Sequence, residues 1–409
     1  MHPYPSAANR PAAPRSPSGA VALALAAMLL AVPASATPTR HAALGAVDGL
    51  EDDASFFRWP GAARDHAGRV WVDSGIVEPG EGWTANGALP RTGPALALAW
   101  DGGRGWTAGF AAHVRAADAD HVGLHRDGPG ASFTWLLART IGDVDVGATW
   151  RSASGGWTSD VDARDEFEHR RDDIGLGARL DLSGRAFLDL AGDVRRQVNR
   201  MQGPGDPPAW DAGESVSARS WSARARLFVE LRPSAVLSLV AERLREDFTG
   251  PIAGEAWERD AALAHDNRLT RLEATLCHLP DPDRLLAATL SWARAATAHD
   301  AVAGAAAATG DEDVRALGLG LSAEQRLNWW LSLRASISMT DLTRRRTSGD
   351  GLGGLPERPV TAAAGLGLHL GAWGADLAVG NTGLPAPWRW LAGAPDRTPW
   401  LRATFHHDF

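Results

Sequence analysis

From about residue 69 onward, apolar side chains recur at every second position. In DVDVGATWR, residues 143–151, Val144, Val146, Ala148 and Trp150 share one face; Asp143, Asp145, Gly147, Thr149 and Arg151 take the other. Across 221–231, Trp221, Ala223, Ala225, Leu227, Val229 and Leu231 alternate with Ser222, Arg224, Arg226, Phe228 and Glu230. Across 329–339, Trp329, Leu331, Leu333, Ala335, Ile337 and Met339 alternate with Trp330, Ser332, Arg334, Ser336 and Ser338. A helix repeats its apolar positions every 3.6 residues, so a period of two predicts strands. The lengths suit a tilted strand crossing a bilayer, which needs ~9–11 residues.

The same pattern marks strands at 69–77, 93–101, 105–115, 131–140, 171–182, 186–196, 235–246, 268–279, 284–294, 313–323, 359–370, 373–380 and 400–409, sixteen in all. Two of them are irregular. Residues 131–140 carry apolar residues on both faces, and 235–246 breaks its alternation at Arg243-Leu244-Arg245, so a count of fourteen stays open. Tight turns are expected at 101–104, 141–142, 183–185, 232–234, 280–283, 324–328 and 371–372. Long polar segments fall between them, at 78–92, 116–130, 152–170, 197–218, 247–267, 295–312, 341–358 and 381–399. Short turns at one end and long loops at the other are the habit of outer-membrane barrels. Soluble sandwiches also alternate, but the loop asymmetry disfavours them, and no blade-length repeat suggests a propeller. The reading is all-β: a transmembrane antiparallel up-and-down β-barrel of 14–16 strands. Its closing stretch WLRATFHHDF places Phe405 and Phe409 on the apolar face. That pattern is the kind expected of a C-terminal signal for the barrel-insertion machinery.

The amino terminus changes the picture by adding a compartment. Arg10 and Arg15 precede the apolar run Ala20–Val32, and Ala34-Ser35-Ala36 follows. This order reads as a secretory signal peptide over 1–36. The run is too short for a helix that spans a bilayer, which needs ~20 residues. Export to the cell outer membrane follows, with outer-membrane lipid as the solvent of the apolar face. Residues 37–68 would form a plug or periplasmic segment, and 69–409 the barrel. A net charge of −8 offers no basic footprint for nucleic acid. A single cysteine, Cys277, precludes an intrachain disulfide framework. All basic residues are Arg, and the eighteen Trp suit interfaces where one ring edge is apolar and the other wet.

Residues 40–68 lack alternation yet carry Asp52, Asp53, Phe56, Phe57, Trp59 and Pro60. Here the chain resembles the FadL-like superfamily of fatty-acid transporters and the related PorV-like barrels. Those proteins open with an acidic-Ala-Ser run and an Asn-Pro-Ala step before the first strand. Asp52-Asp53-Ala54-Ser55 matches the former and Pro60 the proline, whereas Trp59 and Gly61 replace the Asn and Ala. The resemblance implies an N-terminal plug inside a fourteen-strand barrel, with hydrophobic ligands moving through wall or lumen. The residues alone leave two placements open, inside the lumen or at the periplasmic rim.

Thirteen histidines give no metal motif, and no catalytic signature of the GxSxG or HExxH type occurs, so neither enzyme nor cofactor is expected. Side chains expected to face the lumen are Arg179, Arg224, Arg226, Phe228, Glu230, Arg271, Glu273, Trp330 and Arg334. Opposed charges there would shape the field in a pore or brace its wall. The functional expectation is a channel for small hydrophobic or amphipathic solutes, a hydrophobic small molecule being its ligand. The alternative is a non-transporting structural or secretion-accessory barrel that binds a partner protein.

Overall fold

The computed structural model describes residues 37–44, 50, 55–74, 91–119, 126–127, 130–158, 166–202, 215–251, 262–301, 312–346, 358, 360–384 and 399–409. The leader at 1–36, Asp52 and Asp53 lie outside these described residues. A short helix α1 (Pro38–Ala43) and two 3-10 turns (Ser55–Phe57 and Pro60–His66) precede the strands. The strands are β1 (Arg69–Asp73), β2 (Arg91–Gly103), β3 (Trp106–Ala119), β4 (Arg126–Asp127), β5 (Gly130–Ile141), β6 (Val144–Thr158), β7 (Glu166–Ser183), β8 (Ala186–Gln202) and β9 (Ser215–Arg232). They continue with β10 (Ala235–Pro251), β11 (Ala262–His278), β12 (Arg284–Ala301), β13 (Glu312–Asn328), β14 (Leu331–Arg346), β15 (Val360–Leu370), β16 (Trp373–Leu384) and β17 (Pro399–Asp408).

Neighbours in sequence pair antiparallel all the way round, and β1 joins both β2 and β17, so the sheet closes on itself. The two-residue β4 pairs only with the end of β3, which leaves sixteen strands in the wall. The open count of fourteen or sixteen is thus sixteen. At the seam Arg69 Nε donates to Asp408 at 2.5 Å, and the Phe409 amide donates to the Gly68 carbonyl at 2.8 Å. Among the described residues every wall strand has a neighbour on both sides, which is the condition for strands to live in hydrocarbon.

The two faces are inverted relative to a soluble protein. Ile174, Leu176 and Val194 are 61%, 64% and 64% exposed on the outside, while Arg226 and Asp189 inside are 0% and 1% exposed. A soluble sandwich hides its leucines and wets its arginines. This molecule does the reverse, so its outer face is built for lipid.

Tight turns gather at one end of the barrel. Gly142 and Gly371 adopt φ of 62° and 67°, the left-handed conformation a two-residue hairpin requires at its first position. One turn moves: expected at 324–328, it is made instead by Trp329-Trp330 between β13 and β14. There the Asn328 side chain accepts from the Trp330 amide at 3.0 Å. Trp330 is therefore an exposed turn residue and does not face the lumen.

At the other end the strands run on well past their apolar stretches. β7, β9 and β12 each have eighteen residues, more than the ~9–11 that a bilayer needs. Much of 152–170, 197–218, 247–267 and 295–312, expected as loop, is strand. The outward side chains turn polar there while the hydrogen-bond ladder continues.

Candidate functional site

The inner wall holds two clusters of buried charge, and the N-terminal segment is fastened to both. In the first, Arg334 on β14 donates from Nε to Glu324 at 2.8 Å and pairs through its second nitrogen with Asp376 on β16. Arg40 of α1 closes on the other Glu324 oxygen from Nε at 2.9 Å and Nη2 at 2.6 Å. The Thr37 hydroxyl donates to Asp376, and Thr37 also caps α1 by accepting from the Arg40 amide at 3.1 Å. One carboxylate is thus shared between a wall arginine and a segment arginine. Nearby, Thr39 meets Thr404 at 2.6 Å, and Ser322 donates to the Leu44 carbonyl at 2.8 Å.

The second cluster centres on Asp189 of β8. Arg179 binds it bidentately at 2.7 and 2.9 Å, and Arg226 adds contacts at 3.1 and 2.8 Å. Asp65 of the segment pairs with Arg179, while the Trp59 ring lies 4.7 Å from the Arg226 guanidinium carbon. Arg58 reaches Glu242 on β10 at 2.7 Å. Charges this deep are tolerable only because each meets an opposite charge and hydrogen bonds. Higher along the wall, Arg171 and Arg195 share Asp173, and Arg271 binds Glu273 at 2.7 Å.

Apolar contacts complete the seat. Phe56, fully buried, packs edge-on against Trp71 at 5.5 Å and joins Ala97, Ala99, Ala111, Leu136 and Ala138 of the inner wall. This explains why 131–140 is apolar on both faces: Phe133, Trp135 and Leu137 meet lipid, while Leu136 and Ala138 meet Phe56. Leu44 and Leu50 pack with Cys277, Leu285 and Ala287 on the inner faces of β11 and β12.

Glycines in the wall make room for the segment. A methyl added at Gly147 would overlap Pro60, one at Gly177 would lie 2.8 Å from the Pro60 ring, and one at Gly365 would lie 2.7 Å from Ala43. These are shape-matched surfaces.

Of the side chains expected to face the lumen, Arg179, Arg226, Phe228, Glu273 and Arg334 lie buried on the inner face. Arg224, Glu230 and Arg271 are half-buried there, and Trp330 is in the turn. Phe56, Trp59 and Pro60 are buried and Phe57 half-buried, whereas Phe405 and Phe409 stand exposed on the outer face, at 62% and 68%. Sequence reasoning missed Arg40, Arg58, Asp65, Asp189, Glu242, Glu324 and Asp376. It also missed the glycine windows, although inward glycines at mid-strand are a readable sign of a close approach. Among the described residues no group of His, Cys, Asp and Glu has the geometry to hold a metal ion.

No protein-family profile and no curated protein matches the chain. Among solved structures it is similar to the toluene transporter TodX of Pseudomonas putida, with 12% identity over 92% of this chain and 98% of that one, at a TM-score of 0.42. It is similar to the monoaromatic hydrocarbon channel CymD, with 11% identity over 92% and 98%, at a TM-score of 0.44. It is similar also to CdiB from Acinetobacter baumannii, with 10% identity over 83% of this chain, at a TM-score of 0.49. The chain spans 59% of that protein's length. At these values the likeness is to barrels as a class, and the fold rests on the closed, inverted wall described above.

Proposed function

We propose that the protein is an outer-membrane channel for small hydrophobic or amphipathic solutes, with residues 37–68 acting as a plug in its lumen. The observation that supports this most is the fit between Pro60 and the windows at Gly147 and Gly177, because a wall would have no reason to omit those side chains unless something sat there. The solute class is supported by apolar groups on the inner wall beside the charged clusters: Phe187 and Phe228 at 4.5 Å, with Leu244 on β10. Such a mixture suits a molecule with an apolar body and a few polar atoms. Phe405 and Phe409 are read as the insertion signal for the barrel machinery.

The density of ion pairs gripping the segment favours a second reading, a closed barrel that transports nothing and serves as a scaffold for a partner. The two are separated by planar-bilayer recording and liposome uptake with the full chain and a variant lacking 40–68. The channel reading expects low basal current that rises when the segment is removed, together with uptake of an apolar solute. Equal current from both forms, and no uptake by either, would leave the scaffold.

A further inference from the structure

We propose that the outward arginines at the long-loop end of β8–β13 form a binding belt for the phosphate groups of membrane-lipid headgroups. The inference is independent of whether the lumen conducts.

Three times on the outer face, an arginine stands directly opposite another on the next strand. Arg196 faces Arg219 across β8 and β9, Arg245 faces Arg268 across β10 and β11, and Arg294 faces Arg315 across β12 and β13. All six are exposed. Like charges directly opposite one another destabilise a sheet unless an anion lies between them.

Two of the pairs already hold a carboxylate. Asp266 lies between Arg245 and Arg268, at 3.2 and 2.5 Å, and Asp313 lies between Arg294 and Arg315, at 3.1 and 3.3 Å. Asp313 alone between two guanidinium groups leaves the Arg294–Arg315 site with a positive charge, whereas Arg245 also pairs with Asp247 at 3.3 Å, so the Arg245–Arg268 site is balanced. Among the described residues no carboxylate bridges Arg196 and Arg219. Their cross-strand neighbours Asp172 and Asp247 are held by Arg170 at 3.2 Å and Arg245 at 3.3 Å. Arg243, also outward, faces only Ala223 and Thr270.

Depth identifies the anion. Two residues toward the tight-turn end from Arg196, Arg219, Arg294 and Arg315, the outward positions are Val194, Trp221, Trp292 and Leu317, all exposed and apolar. The belt thus begins where the hydrocarbon-facing band stops. An anion resting there while its own apolar part covers Val194 and Leu317 is a lipid headgroup. A guanidinium offers a planar fork that matches phosphate bidentately, and two forks side by side suit a phosphate with two or three free oxygens.

The test uses the detergent-purified full chain in native mass spectrometry, offered equal amounts of diphosphorylated lipid A and a diacylglycerol, which is neutral and carries no phosphate. Retention of the phosphorylated lipid over the neutral one is expected. That preference should fall about tenfold, equivalent to about 1.4 kcal/mol, in the double variant Arg196→Gln, Arg219→Gln. If that variant loses heat-modifiable migration, Arg294→Gln with Arg315→Gln serves instead, since that pair also carries more positive charge than its one carboxylate, Asp313, balances. Equal retention of the two lipids overturns the proposal, as does an undiminished preference in a folded variant. Displacement of lipid A by an equal concentration of inorganic phosphate also overturns it, because the site would then take free anions.

Discussion

At the scale of single residues, the lumen separates what a sequence shows from what it hides. Phe56 and Trp59 were legible because aromatic side chains without alternation need somewhere to be buried. Arg179 and Arg226 were legible because period two places them opposite the lipid face. Asp189 was not, since nothing local says that one carboxylate serves two arginines from different strands and indirectly holds Trp59 and Asp65 in place. Its environment exists only after β7, β8 and β9 pair. The arrangement has an energetic consequence. Arg226→Met keeps most of the volume but leaves Asp189 with a single partner in a buried site. Breaking such a pair costs about 3–5 kcal/mol, so the urea midpoint for unfolding from lipid vesicles should drop clearly. Were the midpoint to stay within the scatter of surface variants such as Arg170→Gln, Asp189 would have to be far wetter than its 1% exposure implies.

At the scale of elements, all sixteen wall strands were readable, and their outer halves were not. The reading followed apolar side chains, which appear only where a strand meets hydrocarbon. On β10 the outward positions pass from Leu237 and Leu239 to Arg243 and Arg245, while Leu244 turns inward. Polarity inverts there and geometry does not, so the sequence looks irregular where the ladder is continuous. The same depth rule makes a prediction. Leu319 is the middle of the outward apolar run on β13, 57% exposed to lipid. Leu319→Arg should cost about 2–4 kcal/mol, whereas an arginine near the interface costs about 0–1 kcal/mol. Ala298→Arg, outward and exposed near the far end of β12, supplies that comparison. Folding yield into vesicles, read by heat-modifiable migration, should fall for the first variant alone. Comparable yields would mean that the apolar band is centred elsewhere on the wall.

At the scale of the whole molecule, the question is whether the N-terminal segment proposed as a plug moves. It touches wall on both sides of the seam: α1 packs on β14–β17, and the turn Pro60–His66 packs on β2, β3 and β5–β8. Each half has its own ion cluster and its own glycine window. A segment tied at two separated places can open stepwise, releasing one half while the other stays, and the natural cysteine offers a way to ask which. Cys277 is the only cysteine, buried in the same apolar cluster as Leu44. Leu44→Cys places a second thiol in that cluster, and a disulfide formed with Cys277 on mild oxidation would lock the α1 half to β11. If solutes pass by displacement of that half, oxidation should abolish uptake and reduction should restore it in the same vesicles. If they slip past a fixed plug, uptake will be indifferent to the redox state, and any gating must come from the Pro60–His66 half, where Arg179 and Arg226 hold Asp65 and Trp59.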